Sequence, residues 1–359
     1  MRVRKGMVLR MKINTGFRVT ALILIAIMAI TSITGCRDVQ QTGYPLSGKE
    51  FAIVVKSKGN NYFDTIIKGF TAVIESQGGA TLVREPSQAS AEEQITIIND
   101  LISRKVDCIA IASNSESATA PALLKAIEHG IQVLSFDSAA EPSSRALHVN
   151  QAGTGRIAQA LMDAAADITG GNGQLAIMST TNQANNQNTW IDGMRMILEA
   201  GIYPGMMLVN IVYGEDDYQT TYEKTQYLID TYPNLALIIA PTAAGIPAVS
   251  ECIIQNGLDQ RIKVTGLGMP SQMAEYIGYD QVCPYMFLWD LDEVGKLTAY
   301  AAIALESGTI SGEVGEKLLA GEMGEYLITR DPFGGSEIAL QAEPIRFDET
   351  NIDHWKNIY

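Results

Sequence analysis

Residues 51–84 read Phe-Ala-Ile-Val-Val-Lys-Ser-Lys-Gly-Asn-Asn-Tyr-Phe-Asp-Thr-Ile-Ile-Lys-Gly-Phe-Thr-Ala-Val-Ile-Glu-Ser-Gln-Gly-Gly-Ala-Thr-Leu-Val-Arg. The hydrophobic period changes twice inside this stretch, and that change decides the fold. Phe51–Lys56 begins as an unbroken apolar run, the mark of a strand covered on both faces. Tyr62–Gln77 switches to helical spacing: Phe63, Ile66, Ile67, Phe70 and Ile74 share one face, and Gly78-Gly79 ends it. Ala80–Arg84 is the next strand.

The alternation continues outward. A helix is expected at Ala89–Arg104, with Ile95, Ile98, Leu101 and Ile102 in register. Asp107–Ala112, Pro121–His129, Ile131–Phe136 and Ala146–Val149 then alternate strand, helix, strand, strand. A second series follows: helix Gln151–Ile168, strand Gln174–Ser179, helix Asn188–Ala200, strand Met206–Tyr213, helix Tyr218–Thr231 and strand Leu235–Ala240. It closes with helix Ala244–Asn256, strand Ile262–Leu267, helix Ser271–Ile277, strand Gln281–Leu288 and helix Leu291–Ser307. The polar tail has strand-like ends at Tyr326–Thr329 and Pro344–Phe347. Two successive series predict an α/β protein of two doubly wound lobes with parallel sheets. Ligands of such sheets sit beyond the carboxyl ends of the strands, so two lobes enclose a cleft there.

Upstream, Arg2, Arg4, Lys5, Arg10, Lys12 and Arg18 precede an uncharged apolar run that stops at Ile33-Thr34-Gly35-Cys36. This is the layout of an export signal, residues 1–35, ending at a lipoprotein cleavage site. Cys36 is the expected lipidation residue and the anchor to the outer face of the membrane. The alternative is an uncleaved span, but Val19–Gly35 is short for crossing the hydrocarbon. The full chain has 26 basic and 40 acidic residues. Without the six basic residues of the leader, 20 basic face 40 acidic groups, a net charge of −20. Such a surface repels phosphate backbones and argues against a nucleic-acid partner. Apart from Cys36 the cysteines are Cys108, Cys252 and Cys283, an odd, widely spaced set that reads as buried thiols. His129, His148 and His354 stand far apart in no ligand pattern, so neither metal nor other cofactor is expected.

The strand ends carry the candidate chemistry. Lys56-Ser57-Lys58-Gly59-Asn60-Asn61-Tyr62-Phe63 follows the first strand, and Asp137-Ser138 the fourth. In the second series the ends are Asn185-Asn186-Gln187-Asn188-Thr189-Trp190, Pro241-Thr242-Ala243-Ala244, Gly268-Met269-Pro270 and Trp289-Asp290. Amides and carboxylates suit vicinal hydroxyls, aromatic faces suit the C–H side of a sugar ring, and no Ser-His or Cys-His pair offers a nucleophile. Gly266-Leu267-Gly268 lacks the third glycine of a dinucleotide loop, with Ser271 in its place. Glu215-Asp216-Asp217 precedes a helix and is expected to complement its dipole rather than bind calcium.

The strings Asn186-Gln187-Asn188-Thr189-Trp190-Ile191, Ile239-Ala240-Pro241-Thr242, Gly266 to Met273, Leu288-Trp289-Asp290 and Phe347 to Ile352 resemble the ribose-binding-type solute-binding proteins (type I periplasmic binding proteins). Within that family they are most similar to the branch of rhamnose-binding and autoinducer-2-binding (Lsr) proteins. The resemblance covers residues 48–359. It implies that Lys56 and Asp137 hold ligand oxygens, that Asn186-Gln187 stands where the autoinducer-2 binders have an Asp-Gln pair, and that Pro241 and Ala243 supply backbone contacts. Asn186 is a departure that fits the rhamnose branch better. Ser138 and Gly268, where ribose binders have arginine and aspartate, argue against ribose. Trp289 and Asp290, at a lobe crossing, complete the candidate site. Phe63 serves either as the pocket's aromatic wall or as packing for its own helix, and Trp190 as packing.

The resemblance further implies a three-strand hinge near residues 148, 288 and 325. The expected lobes are then 48–147 plus 288–324 and 148–287 plus 325–359, with 36–47 as linker from the anchor. The function implied is not enzymatic. A monomeric receptor closes on a small polyhydroxylated ligand and delivers it to the permease of an ABC importer; an autoinducer-2 receptor for uptake or sensing is the alternative.

Overall fold

The computed structural model describes residues 46–331 and 334–359. The expected leader and Cys36 lie outside the described residues. Strand β1 (Glu50–Val54) is buried almost throughout, because both of its neighbours pair with it in parallel and helices cover both faces. Helix α1 (Asn61–Ser76) follows, capped by Asn60, whose Oδ1 accepts the Tyr62 N–H at 3.1 Å. Its buried stripe is Tyr62, Phe63, Ile66, Phe70, Val73 and Ile74. Next come β2 (Ala80–Arg84), α2 (Ala91–Arg104), β3 (Cys108–Ile111), α3 (Glu116–Glu128), β4 (Gln132–Phe136) and β5 (Leu147–Asn150).

The second series runs α4 (Thr154–Thr169), β6 (Asn172–Ser179), α5 (Asn185–Glu199), β7 (Gly205–Tyr213), α6 (Tyr218–Thr231), β8 (Leu235–Ala240), α7 (Ile246–Gln255), β9 (Lys263–Gly266), α8 (Pro270–Met273) and β10 (Tyr285–Leu288). Helix α9 (Leu291–Glu306), the hairpin β11 (Lys317–Leu319) and β12 (Glu325–Leu327), β13 (Thr329–Arg330), β14 (Ser336–Ala339), β15 (Ile345–Asp348) and α10 (Ile352–Trp355) finish the chain.

Two sheets result, as expected for an α/β fold, parallel except where β13 joins β14 antiparallel. The first has the order β13-β14-β5-β4-β3-β1-β2 and the second β7-β6-β8-β9. Strand β10 extends the second sheet: Leu267 bridges Phe287, and Thr265 Oγ1 donates to the Tyr285 carbonyl at 2.8 Å. Strand β15 pairs antiparallel with β10. Helix α9 leaves β10 at Trp289 and packs on α1. The approach is so close that a Cβ on Gly295 would overlap the Ile66 carbonyl, and one on Gly69 the Asp292 carbonyl.

Some elements differ from the sequence reading. Helix α3 starts five residues before Pro121, because Ser115 caps it. The strand expected from Gln281 shrinks to Tyr285–Leu288, and the helix expected over 271–277 to a single turn. The largest difference is in the tail. Residues expected with the second lobe from 325 onward instead send β14 into the first sheet, with Glu337, Ile338 and Ala339 opposite His148, Val149 and Asn150. The third passage between sheets therefore lies at residues 340–344, not near 325. Arg145 holds this segment: its guanidinium donates to Asp331 Oδ2 at 2.5 Å and to the Ser336 carbonyl at 2.8 Å, with both charged side chains buried. Cys108, Cys252 and Cys283 are free and buried, and burial pushes all three thiols up, out of the reactive range.

Candidate functional site

The strand ends of the two sheets meet around a cavity with about 510 Å³ of empty space, its open mouth included. Lys56, Asn60, Tyr62, Phe63 and Asp137 line it from the first sheet's side. Thr180, Asn186, Gln187, Trp190, Asp216, Pro241, Thr242 and Ala243 line it from the second, with Leu288 and Trp289 at the crossing. Eight of the nine residues singled out for ligand contact thus come together.

Asp137 is the most elaborately held. It directly follows β4 and takes a left-handed backbone (φ +56°), a conformation that aspartate tolerates better than most residues. Tyr62 Oη donates to its Oδ1 at 2.7 Å and Ser138 Oγ to its Oδ2 at 3.2 Å. Burial pushes its carboxyl up, while the Lys56 charge and the two hydroxyl donors pull it back. A carboxylate has about four acceptor sites, so acceptor capacity remains for a guest.

Gln187 lines the cavity with most of its amide already engaged. Its Oε1 accepts Ser179 Oγ at 2.7 Å and the Thr180 N–H at 2.8 Å, and its Nε2 donates to Thr180 Oγ1 at 2.6 Å. The amide is therefore mostly spent on tying α5 to the end of β6, with one N–H left over. Asn186, which lines the cavity, accepts the Gln187 N–H on its Oδ1 at 2.9 Å. Trp190 sits against Trp289 with ring centroids 5.9 Å apart. Phe63 lines the cavity and packs edge-on against Phe136 of β4, with centroids 6.4 Å apart.

Asp290 does not join the site. Its Oδ1 accepts the Glu293 N–H at 3.1 Å as the N-cap of α9, outside the cavity lining. Conversely, several lining residues were not singled out for ligand contact, and two of them matter most. Tyr62 links Trp289 to Asp137, taking the indole N–H on its oxygen at 2.9 Å. Asp216 belongs to the triplet read as a dipole complement. Asp217 does that work, accepting the Thr220 N–H at 2.7 Å. Glu215 and Asp216 both adopt positive φ (57° and 52°), and this turn brings Asp216 to the cavity, where its Oδ1 accepts Thr180 Oγ1 at 3.2 Å and Thr242 Oγ1 at 3.4 Å. Asn60 and Thr180 also line the cavity, and the sequence signal for both was their place at a strand end.

The cavity holds acceptors, amide donors, one ammonium and aromatic faces, an inventory for grasping a polar guest. Comparison with known proteins decides the class: residues 51–310 match the family described as periplasmic binding protein domain. The chain belongs to this periplasmic binding protein family. The crystal structure of an ABC transporter solute-binding protein from Clostridium phytofermentas with bound L-rhamnose is similar at 45% identity and a TM-score of 0.84. The match covers 88% of this chain and 100% of that one. A sugar ABC transporter protein from Actinomyces odontolyticus is 33% identical over 87% of this chain and 98% of its own, with a TM-score of 0.70. LsrB from Clostridium saccharobutylicum in complex with AI-2 shares the fold at 21% identity, with a TM-score of 0.78 over 85% of this chain and 99% of that one. As a periplasmic binding protein this chain is a solute binder of type I architecture, and it is not an enzyme.

Proposed function

We propose that this chain is the lipid-anchored receptor of an ABC-type sugar importer. Its ligand is a small deoxy sugar of the L-rhamnose kind, held between the lobes by hinge closure. The observation that carries the reading is the buried Asp137 carboxylate, gripped by two protein hydroxyls and still open to the cavity. An acceptor of this sort suits a pair of sugar hydroxyls. Lys56 and Asn186 supply donors, Asp216 a second carboxylate, and Phe63, Trp190, Leu288 and Trp289 an apolar side for C–H groups and a methyl. The similarity to the L-rhamnose-bound protein supports the same ligand class. Closure follows from ligand contacts that only the closed form completes. Cys36 carries the lipid in this reading, and the closed lobes are what the permease recognises.

Autoinducer-2 is the second reading, because Lys56, Asp137, Pro241 and Ala243 all line the cavity as the resemblance to those binders requires. Calorimetric titration of residues 37–359 with L-rhamnose and, in parallel, with autoinducer-2 separates the two. Micromolar or tighter binding of L-rhamnose is expected. Asp137→Ala should weaken it by about tenfold or more, since hydrogen bonds to a charged acceptor are worth about 1.5–3 kcal/mol. Binding of autoinducer-2 alone would replace the sugar reading with signal uptake. For the anchor, Cys36→Ser should move the protein from the membrane fraction to the soluble one, and an unchanged distribution would sink the lipoprotein assignment.

A further inference from the structure

The hydrogen-bond chain that ends on Asp137 starts at a passage between the two sheets. Trp289 stands where the chain leaves β10 for α9. Its Nε1–H donates to Tyr62 Oη at 2.9 Å, and that hydroxyl gives its only proton to Asp137 Oδ1 at 2.7 Å. The rings leave little freedom: Tyr62 lies edge-on to Trp289, with centroids 6.3 Å apart, and to Phe63 at 5.1 Å. All three members of the chain are buried, with 7%, 4% and 5% exposure for Tyr62, Trp289 and Asp137. With the indole donor on its oxygen, the phenol has one outlet for its proton, and that outlet is the carboxylate.

We propose that Tyr62, anchored by Trp289, is a positioning residue for Asp137, aiming its carboxylate at the ligand and keeping it ionised. The proposal rests on the reading that Asp137 accepts hydrogen bonds from the sugar. The groups around Asp137 make this help necessary. Lys56 is the cation facing it in the cavity, Asp216 faces it across the cleft, and the adjoining cavity presents Glu116, Asp331, Glu337 and His148. Arg145 is already committed to Asp331, and His148 is held neutral by burial. Burial and neighbouring carboxylates thus favour the protonated acid. Against them stand Lys56 and two hydroxyls, of which Tyr62 makes the shorter bond. Because the anchor Trp289 belongs to the passage between lobes, lobe movement is felt at Asp137 through Tyr62.

The test follows the indole N–H resonances of the three tryptophans of the 15N-labelled protein against pH, together with L-rhamnose affinity over the same range. In the natural protein the Trp289 resonance should move as Asp137 takes its proton, and in Tyr62→Phe it should stand still. The variant's affinity should fall roughly fivefold at neutral pH, the usual effect of one lost hydrogen bond. Its further loss on acidification should begin at higher pH than in the natural protein, because a carboxylate short of one donor protonates sooner. A Trp289 resonance that titrates equally in both proteins, or parallel affinity profiles, overturns the relay. Asp137→Asn separates the two claims: if it keeps full L-rhamnose affinity while Tyr62→Phe silences Trp289, the sugar contact fails and the positioning role stands. Should Tyr62→Phe not fold by circular dichroism, Trp289→Phe takes its place. The pH midpoint of its affinity must then rise, and an unchanged midpoint counts against the proposal.

Discussion

Asp216 and Asp217 are adjacent and chemically identical, yet one faces the cleft and the other caps a helix. The difference is backbone conformation, set by two consecutive left-handed residues that composition does not announce. Lys56 and Asp137 were readable because each follows an apolar strand run, and strand ends are where such folds bind. Asp290 also follows a strand but precedes a helix, and the N–H groups of the helix's first turn claimed it. Asp216→Ala should weaken sugar binding by about three- to tenfold in calorimetry, with little change in folding stability, because the side chain is largely exposed. An unaltered affinity would return Asp216 to the surface. His148 gives a pH prediction. It is buried, paired to Ser135 Oγ at 2.9 Å and pushed down to about 3 by burial and the Arg145 charge. The unfolded chain, with an ordinary histidine near 6.5, binds a proton that the fold refuses. Stability from this group is therefore full above about pH 6.5 and drains away as pH falls toward about 3. The raised carboxyls of Asp137, Glu116 and Glu337 act in the opposite sense. His148→Gln should lose less of its urea midpoint than the natural protein between neutral and acidic pH, and equal losses would refute the assignment.

Among elements, β1 and α1 were legible from the quoted stretch alone, because a buried parallel strand and an amphipathic helix have unmistakable periods. β14 was not. Ser336–Ala339 is four residues long, alternates buried and half-buried positions, and follows Gly334-Gly335, so it reads as loop. What makes it a strand is tertiary: β5 offers a free edge, and Arg145 fastens the approach. The α1–α9 contact teaches the same lesson with glycine. Gly295 inside a helix costs about 1 kcal/mol relative to alanine on propensity grounds. Here the smaller residue wins, because a methyl would drive into the Ile66 carbonyl of the facing helix. Overpacking of this kind costs about 1–3 kcal/mol or more, against the backbone rather than a yielding side chain. Gly295→Ala should therefore lower the thermal midpoint, and a rise would mean that α9 can slide outward at no cost.

At the scale of the whole molecule, the two lobes touch across the cleft through side chains outside the main cavity lining. Asn185 Nδ2, at the start of α5 in the second lobe, donates to Glu116 Oε2 at the start of α3 in the first. In the proposed hinge closure, such a bond forms only when the lobes are shut, and it then adds to the closed form whatever the cavity contains. Asn185→Ala should speed ligand release by about three- to tenfold in stopped-flow experiments while leaving association nearly unchanged. An unchanged release rate would mean that the contact contributes nothing to closure. The two-lobe plan was legible because two strand–helix series follow one another; the third place where the chain passes between the sheets was not, since it depends on β14.

The contact between Trp190 and Trp289 has a practical consequence. Trp190 belongs to the second lobe, Trp289 to the passage between lobes, and both are shielded from water at 3% and 4% exposure. The third tryptophan, Trp355, stacks on Tyr359 away from the cleft and supplies a constant background. Two of the chain's three tryptophans therefore sit where the proposed closure would move the chain. Separation of the lobes would wet them and redden their emission, so the intrinsic light of the protein is a dye-free gauge of how much of it is occupied.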